Sequence, residues 1–226
     1  MPSSLFVAVI TLQNTSHKAD GKLDAFNYAW ETLCGTTPQF EVCPGVMDAR
    51  RGVGIATALE RCLSHIPTDA KYVVIFEDDA RPQAPAACRL SQLMNHHQRF
   101  LPPDSVLQLG GHHVDYSDNL WIDERYRLIS HSFGAYAMAF SLETSLRMRA
   151  MLQTLLKTSH KEIDHDVQIA KQFETYLAYP TLFGHHGGYS ATWDAEGETI
   201  WQRKPPPRWP WWELLMYGSL KTLWTN

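Results

Sequence analysis

The chain predicts an α/β fold: a single domain over residues 1–226, with a mainly parallel central sheet, helices on both faces and a tail from residue 192 wrapping the body. Three observations predict it. Dense apolar runs at residues 5–12 (LFVAVITL) and 72–76 (YVVIF) are short and uncharged, as strands covered on both faces are. Stretches of helical period lie between such runs, so strand and helix alternate in the rhythm of a doubly wound sheet. The second run ends at once in Glu77, Asp78 and Asp79, and open α/β sheets bind ligands beyond the carboxyl ends of their strands.

Taken in order, the first strand runs into Gln13, Asn14, Thr15 and Ser16, short polar groups suited to a ligand. Residues 20–33 read as a helix with Leu23, Phe26, Trp30 and Leu33 on one face, and Gly35 stops it. Residues 39–43 alternate as a short strand closed by Pro44 and Gly45. A segment marked by Gly52 and Gly54 leads into a helix at 55–63, striped by Ile55, Leu59, Cys62 and Leu63. After the 72–76 strand come a helix at 86–100 and a strand at 106–109, closed by Gly110 and Gly111. Residues 127–131 and 135–140 read as strands near enough in sequence for an antiparallel pair. Helices are expected at 141–156 and at 162–177, the latter N-capped by Asp164, with a last strand at 179–183. The tail, with PPP at 205–207 and WPWW at 209–212, suits a peripheral membrane contact or a dimer surface, and equally a cap on the core.

The bulk numbers exclude several classes. A 226-residue chain with 44% hydrophobic and 19% charged residues has the composition of a folded domain, not of a disordered one. A net charge of -4 gives no general attraction for nucleic acid. No run is apolar for long enough to span a membrane, and residues 1–15 lack a basic region before the apolar one, so the expected location is the cytoplasm. The four cysteines, Cys34, Cys43, Cys62 and Cys88, form no CxxC and are expected to be reduced and mostly buried.

Three carboxylates at the end of a buried strand repel one another and cost desolvation, so a positive partner is expected there. Oxygen ligands in close sequence suit Mn²⁺ or Mg²⁺, which usually arrive with a phosphate-bearing substrate. A plain helix-capping role would need only one acid, and the next helix begins several residues later.

The segments VAVITL, RGVGIATALERCLSHI (51–66), IFEDDARP (75–82), SVLQLGG (105–111), GAYAMAFS (134–141) and YPTLFGHHGGYS (179–190) follow one another in a telling order. Together they resemble glycosyltransferase family 25, the lipopolysaccharide-type transferases of the GT-A fold superfamily. The chain departs from that pattern in being short, in lacking a basic C-terminal region, and in carrying EIDHDV (162–167) where one catalytic acid is expected.

The resemblance implies a metal-dependent transfer of a sugar from a nucleotide-diphospho-sugar to a glycan or other hydroxyl acceptor, with inversion of configuration. It assigns the metal, Mn²⁺ or Mg²⁺, to Asp79 with Asp78 or Glu77 in support, and to a later histidine, His185 or His186. The donor, with a UDP-sugar the first choice, would meet Thr11 and Gln13 with its base and ribose, and Arg51 with its diphosphate or base. An inverting transfer needs a general base, for which Asp166 is preferred and Asp164 is the alternative. Tyr116, Trp121, Tyr189 and Trp193 are candidates for stacking on sugar rings. Two other readings stay open: a metal-dependent phosphotransferase or nucleotidyltransferase, and a non-catalytic carbohydrate-binding derivative. Against the first, no glycine-rich phosphate loop follows the first strand, where no glycine occurs before Gly21.

Overall fold

The computed structural model of the protein describes residues 5–11, 21–83, 85–112, 126–129, 133–159, 162–178, 181–185, 189–190 and 195–196. In chain order the elements are β1 (Leu5–Thr11), α1 (Lys22–Cys34), β2 (Glu41–Pro44), α2 (Val53–Ser64), β3 (Tyr72–Glu77) and β4 (Ala80–Pro82). A 3₁₀ turn (Pro85–Arg89) leads to α3 (Leu90–Phe100), β5 (Val106–His112), β6 (Tyr126–Ile129) and β7 (Phe133–Ser141). Then come α4 (Leu142–Thr158), α5 (His165–Gln172), β8 (Thr175–Ala178) and β9 (Phe183–His185).

Seven strands form one sheet in the order β2-β1-β3-β7-β5-β8-β6. The pairs β1/β2, β1/β3 and β5/β8 are parallel, while β7 runs against β3 and β5, and β6 against β8. Strands β2, β1, β3, β5 and β8 therefore share one direction, and the expected α/β class with a mainly parallel sheet holds.

Strand alternation divides the core. Val7 and Val9 of β1, with Val74 and Phe76 of β3, pack against Phe26 and Trp30 of α1 and Leu93 and Met94 of α3. Phe6, Ala8 and Ile10, with Val73 and Ile75, face the other way onto Leu59 and Cys62 of α2, Met148 and Leu152 of α4 and Ile169 of α5. Both faces of β1 and β3 are thus dry, which is why these strands read as unbroken apolar runs. At about 25 cal/mol per Å² of apolar surface removed from water, this two-sided burial is the main force holding the sheet.

Three expectations need correction. The helix expected through residue 177 ends at Gln172, and Thr175–Ala178 is a strand. The run TYLA is buried at every position, and a short continuous apolar run carries no period to tell strand from helix. The two strands near 127–140 are not partners: β6 pairs with β8, and β7 sits between β3 and β5. The cysteines are not all reduced, since Cys34 at the end of α1 is bonded to Cys88 in the 3₁₀ turn. Most of the tail from residue 192, together with Tyr116, Trp121 and Trp193, lies outside the described residues.

Candidate active site at the carboxyl ends of β1 and β3

Parallel pairing of β1 with β3, in which Ile10 lies beside Glu77, brings both carboxyl ends to one edge. The Asp78 amide donates to the Ile10 carbonyl at 3.0 Å, carrying the ladder one residue past β3. The chain then turns, and Arg81 holds the turn by donating from Nη1 to the carbonyls of Asp78 and Ala80, both at 2.8 Å. Strand β4 pairs antiparallel with β9, setting Ala80 beside His185. That pairing delivers the imidazole: His185 Nε2 lies 2.9 Å from Asp79 Oδ2. The Tyr136 ring packs beside His185 with centroids 5.5 Å apart, and its hydroxyl donates to the Phe183 carbonyl at 3.2 Å.

Charge at this edge is crowded. Burial pushes the Glu77 carboxyl well above its usual range, and the negative charges of Asp79, Asp78 and Asp166 push the same way against Lys22. Burial would raise Asp79 too, but the bond from His185 and the charges of His185, Lys22 and Arg81 outweigh it and hold that carboxyl low. Lys22, in the first turn of α1, places Nζ 3.7 Å from Asp78 Oδ1. The protein therefore supplies part of the positive charge that the acidic run demands. Burial and the same carboxylates raise the Tyr136 phenol, which keeps it a neutral donor.

A cleft opens beside these groups, lined by Thr11, Lys22, Glu77, Asp78 and Asp79 on one side and by Gly45, Val46, Asp48, Arg50, Gly52 and Gly54 on the other. Arg50 is tied to Asp48 through Nε at 3.0 Å and Nη2 at 2.9 Å. The guanidinium and the Arg50 amide hold the Asp48 carboxyl down to about 2. The glycines of this wall serve the protein's own packing. A Cβ on Gly52, whose φ is +73°, would stand 1.8 Å from the Ile163 carbonyl oxygen, and one on Gly54 would stand 2.1 Å from that of Val46.

Of the residues singled out in the sequence, Thr11, Glu77, Asp78 and Asp79 come together at the cleft, and His185 joins them through Asp79. Arg51 is not among the described residues that line the cleft. Its guanidinium is forked between Glu162 Oε2 at 2.9 Å and Asp164 Oδ1 at 2.8 Å. Asp164 stands at the N-cap position of α5, but its side chain makes no capping bond. Asp166 accepts from the Val167 amide at 3.0 Å, and its charge is felt at Glu77. Between them the buried His165 packs into a small space shared with Ile10, Ile55 and Glu77, which fixes the start of α5 beneath the acidic edge. Gln13 and His186 lie outside the described residues, and only the backbone of Tyr189 is described. Lys22, Arg50 and Tyr136 escaped the sequence reading. A lysine after a glycine and an arginine beside Arg51 carry no distinguishing signal, whereas Tyr136 lay within the quoted GAYAMAFS segment.

Among the described residues, no three His, Cys, Asp or Glu side chains converge as a metal-binding set. Asp79 and His185 nonetheless fit as two ligands of a divalent ion. Asp79 Oδ1 is buried without a hydrogen-bond partner, a costly arrangement for an ionised carboxylate oxygen that a cation would relieve. No helix among the described residues is long and apolar enough to cross a membrane.

No protein-family model matches the chain, and no curated protein matches its sequence. Several solved structures share its general course. Mannose-1-phosphate geranyltransferase from Thermus thermophilus has a TM-score of 0.45 at 10% identity, over 80% of this chain and 75% of that one. A mutant Drosophila beta-1,4-galactosyltransferase 7, in complex with manganese, UDP-Gal and xylobiose, has a TM-score of 0.42 at 11% identity, over 90% and 75%. A 4-diphosphocytidyl-2C-methyl-D-erythritol synthase from Anaerococcus prevotii has a TM-score of 0.42 at 10% identity, over 79% and 89%. Likenesses this distant carry no argument about chemistry.

Proposed function

We propose that the protein is a metal-dependent glycosyltransferase that moves a sugar from a nucleotide-diphospho-sugar to a hydroxyl acceptor with inversion, acting as one domain over residues 1–226. The observation that carries this reading is the Asp79–His185 pair at the carboxyl end of β3, with one carboxylate oxygen buried and unsatisfied, at the edge of a cleft that Thr11 also lines. In this reading Asp79 and His185 hold the ion, with Asp78 in support. The two side chains already face one another, with His185 Nε2 2.9 Å from Asp79 Oδ2. When bound, Mn²⁺ or Mg²⁺ would supply Lewis-acid neutralisation of the departing diphosphate.

The chain's own residues do the rest. Thr11 offers a hydroxyl at the end of β1 to the ribose or base, and Lys22, released from Asp78, offers an ammonium to the diphosphate. The cleft encloses only about 70 Å³, far less than a drug-sized ligand fills, so a donor would extend over its open side. In this reading Asp166, at the start of α5 and within electrostatic reach of Glu77, takes the acceptor proton. Asp164 is engaged by Arg51.

The test is a thermal-shift screen of UDP-, GDP-, CMP- and dTDP-sugars with and without Mn²⁺. A true donor stabilises by mass action, roughly 2.7 kcal/mol at a hundredfold excess over Kd. One nucleotide class that raises Tm only with Mn²⁺ is the expected outcome. A shift from free nucleotide triphosphates but from no nucleotide sugar would favour nucleotidyl transfer instead.

A further inference from the structure

The chain has four cysteines, and the structure bonds Cys34 to Cys88. It records the other two as thiols, Cys43 near the end of β2 and Cys62 in the last turns of α2. Their sulfurs are nevertheless only 2.7 Å apart, and the two residues are 2% and 1% exposed. Two unbonded sulfurs repel strongly at such a separation, whereas a disulfide sets them about 2.0 Å apart. The scaffold around them is fixed. Register pairs Cys43 with Ile10 of β1, and both cysteines belong to the packed cluster that contains Leu59 and Leu63. Bonding requires the sulfurs to close by only about 0.7 Å from their 2.7 Å separation, a shift on the scale of small side-chain rotations.

We propose that Cys43 and Cys62 form a second disulfide, so that all four cysteines are paired. The two thiols give up two protons and two electrons as the S–S bond forms. The electrons and protons pass to a disulfide oxidant, whose own S–S bond breaks to give two thiols: two glutathione molecules from oxidised glutathione, or the dithiol form of a thiol–disulfide oxidoreductase. Attack requires a thiolate. In the folded chain the Cys62 thiol is held far up by its contact with Cys43 and by burial, and the oxidant has no approach. The bond therefore forms during folding and is then shielded. The Cys34–Cys88 bond differs, for it lines a groove with Thr36, Pro38 and Gln92 and both its cysteines are partly exposed. One bond ties α1 to the turn after β4 on one face of the sheet, and the other ties β2 to α2 on the opposite face, behind the cleft wall formed by Val46 and Gly54. Such pairing needs an oxidising setting, which stands against the cytoplasmic location expected from the sequence. The inference is independent of the glycosyltransferase reading.

The experiment is disulfide mapping of the full chain, produced in an oxidising compartment. The protein is denatured without reductant in the presence of iodoacetamide, digested and read by mass spectrometry. The expected result is a linked peptide pair containing Cys43 and Cys62 and no alkylated cysteine. Alkylation of Cys43 and Cys62 beside an intact Cys34–Cys88 bond overturns the proposal, as does any other pairing. A second sample is treated with a mild reductant while native, then alkylated. Labelling should appear at Cys34 and Cys88 at least tenfold sooner than at Cys43 and Cys62, and equal rates would overturn the shielding.

Discussion

The two flanks of the acidic edge are built differently. On the β9 flank, Asp79 and His185 are held by strand pairing, by the Arg81 clamp and by Tyr136, and their side chains are mostly buried. On the α5 flank, Arg51 bridges Glu162 and Asp164, whose side chains are 57% and 49% exposed. Water screens the second set, and exposed ion pairs of this kind contribute about 0–1 kcal/mol. The first set has little access to water, so each unmatched charge there matters more. On the proposed reading, the first flank is prearranged for a charged ligand, and the second is a surface contact that a substrate would rearrange at small cost.

The largest effect that follows is on Asp79. Asp79→Asn keeps the side chain's shape but offers a poorer ligand to a hard cation, so Mn²⁺-dependent donor affinity should fall by roughly 10³-fold with the fold intact. Isothermal calorimetry with Mn²⁺ and UDP would read this directly. Asp78→Asn is the control, with a smaller expected loss, and unchanged affinity in Asp79→Asn would remove the metal assignment.

Next come the two acids of α5. Asp166→Asn should lower kcat by roughly 10²- to 10⁴-fold while donor affinity barely changes, as loss of a general base does. Asp164→Asn breaks an exposed pair and forfeits no capping bond, so it should cost no more than about 0.5 kcal/mol and little turnover. Steady-state kinetics with melting curves on both variants decides the matter, and the opposite pattern would exchange their roles.

Most of the β9 flank was legible in the sequence at the level of residues, because an apolar run broken by EDD is a local signal. The direction of β3 and the location of its acidic end follow from that run alone. What joins His185 to Asp79 is the pairing of β4 with β9, a contact between segments about a hundred residues apart that no local pattern announces. The α5 flank was legible only as a neighbourhood. The sequence marks two acids opening a helix, but not that Arg51 pairs with Asp164, a contact that spans 113 positions. In the sequence Gly52 and Gly54 only mark the lead into a helix, and the fold shows that they make room for the Ile163 and Val46 carbonyls.

Gly52 thus bears on the α5 flank, since Ile163 lies between Glu162 and Asp164. Gly52→Ala combines a positive φ with a backbone clash and should destabilise by about 3 kcal/mol. Gly21 separates the two causes: its φ is +79° with nothing within 4 Å, so Gly21→Ala should cost only the conformational part, about 1 kcal/mol. Urea unfolding of both variants checks this, and equal losses would mean that the Ile163 contact yields easily.

The last effect concerns a carboxylate away from the cleft, which calibrates the comparison. Glu60 of α2 accepts from Arg149 Nε at 2.9 Å and from Gln153 Nε2 at 2.7 Å, joining α2 to α4. Burial alone would raise its carboxyl, but the bonds from Arg149 and Gln153 and the nearby positive charges outweigh it, leaving the folded value below the usual one. A lowered folded pKa gives stability that is fully present above the unfolded value, about 4.3, and is lost as pH falls through the folded value. Glu60→Gln should therefore cost about 1 kcal/mol near pH 7, intermediate between the exposed and buried pairs, and the gap to the unaltered protein should narrow toward pH 3. Urea titrations at the two pH values measure it. A gap that stays constant or widens on acidification would mean that the Glu60 charge contributes nothing, and that α2 and α4 are held by their apolar faces alone.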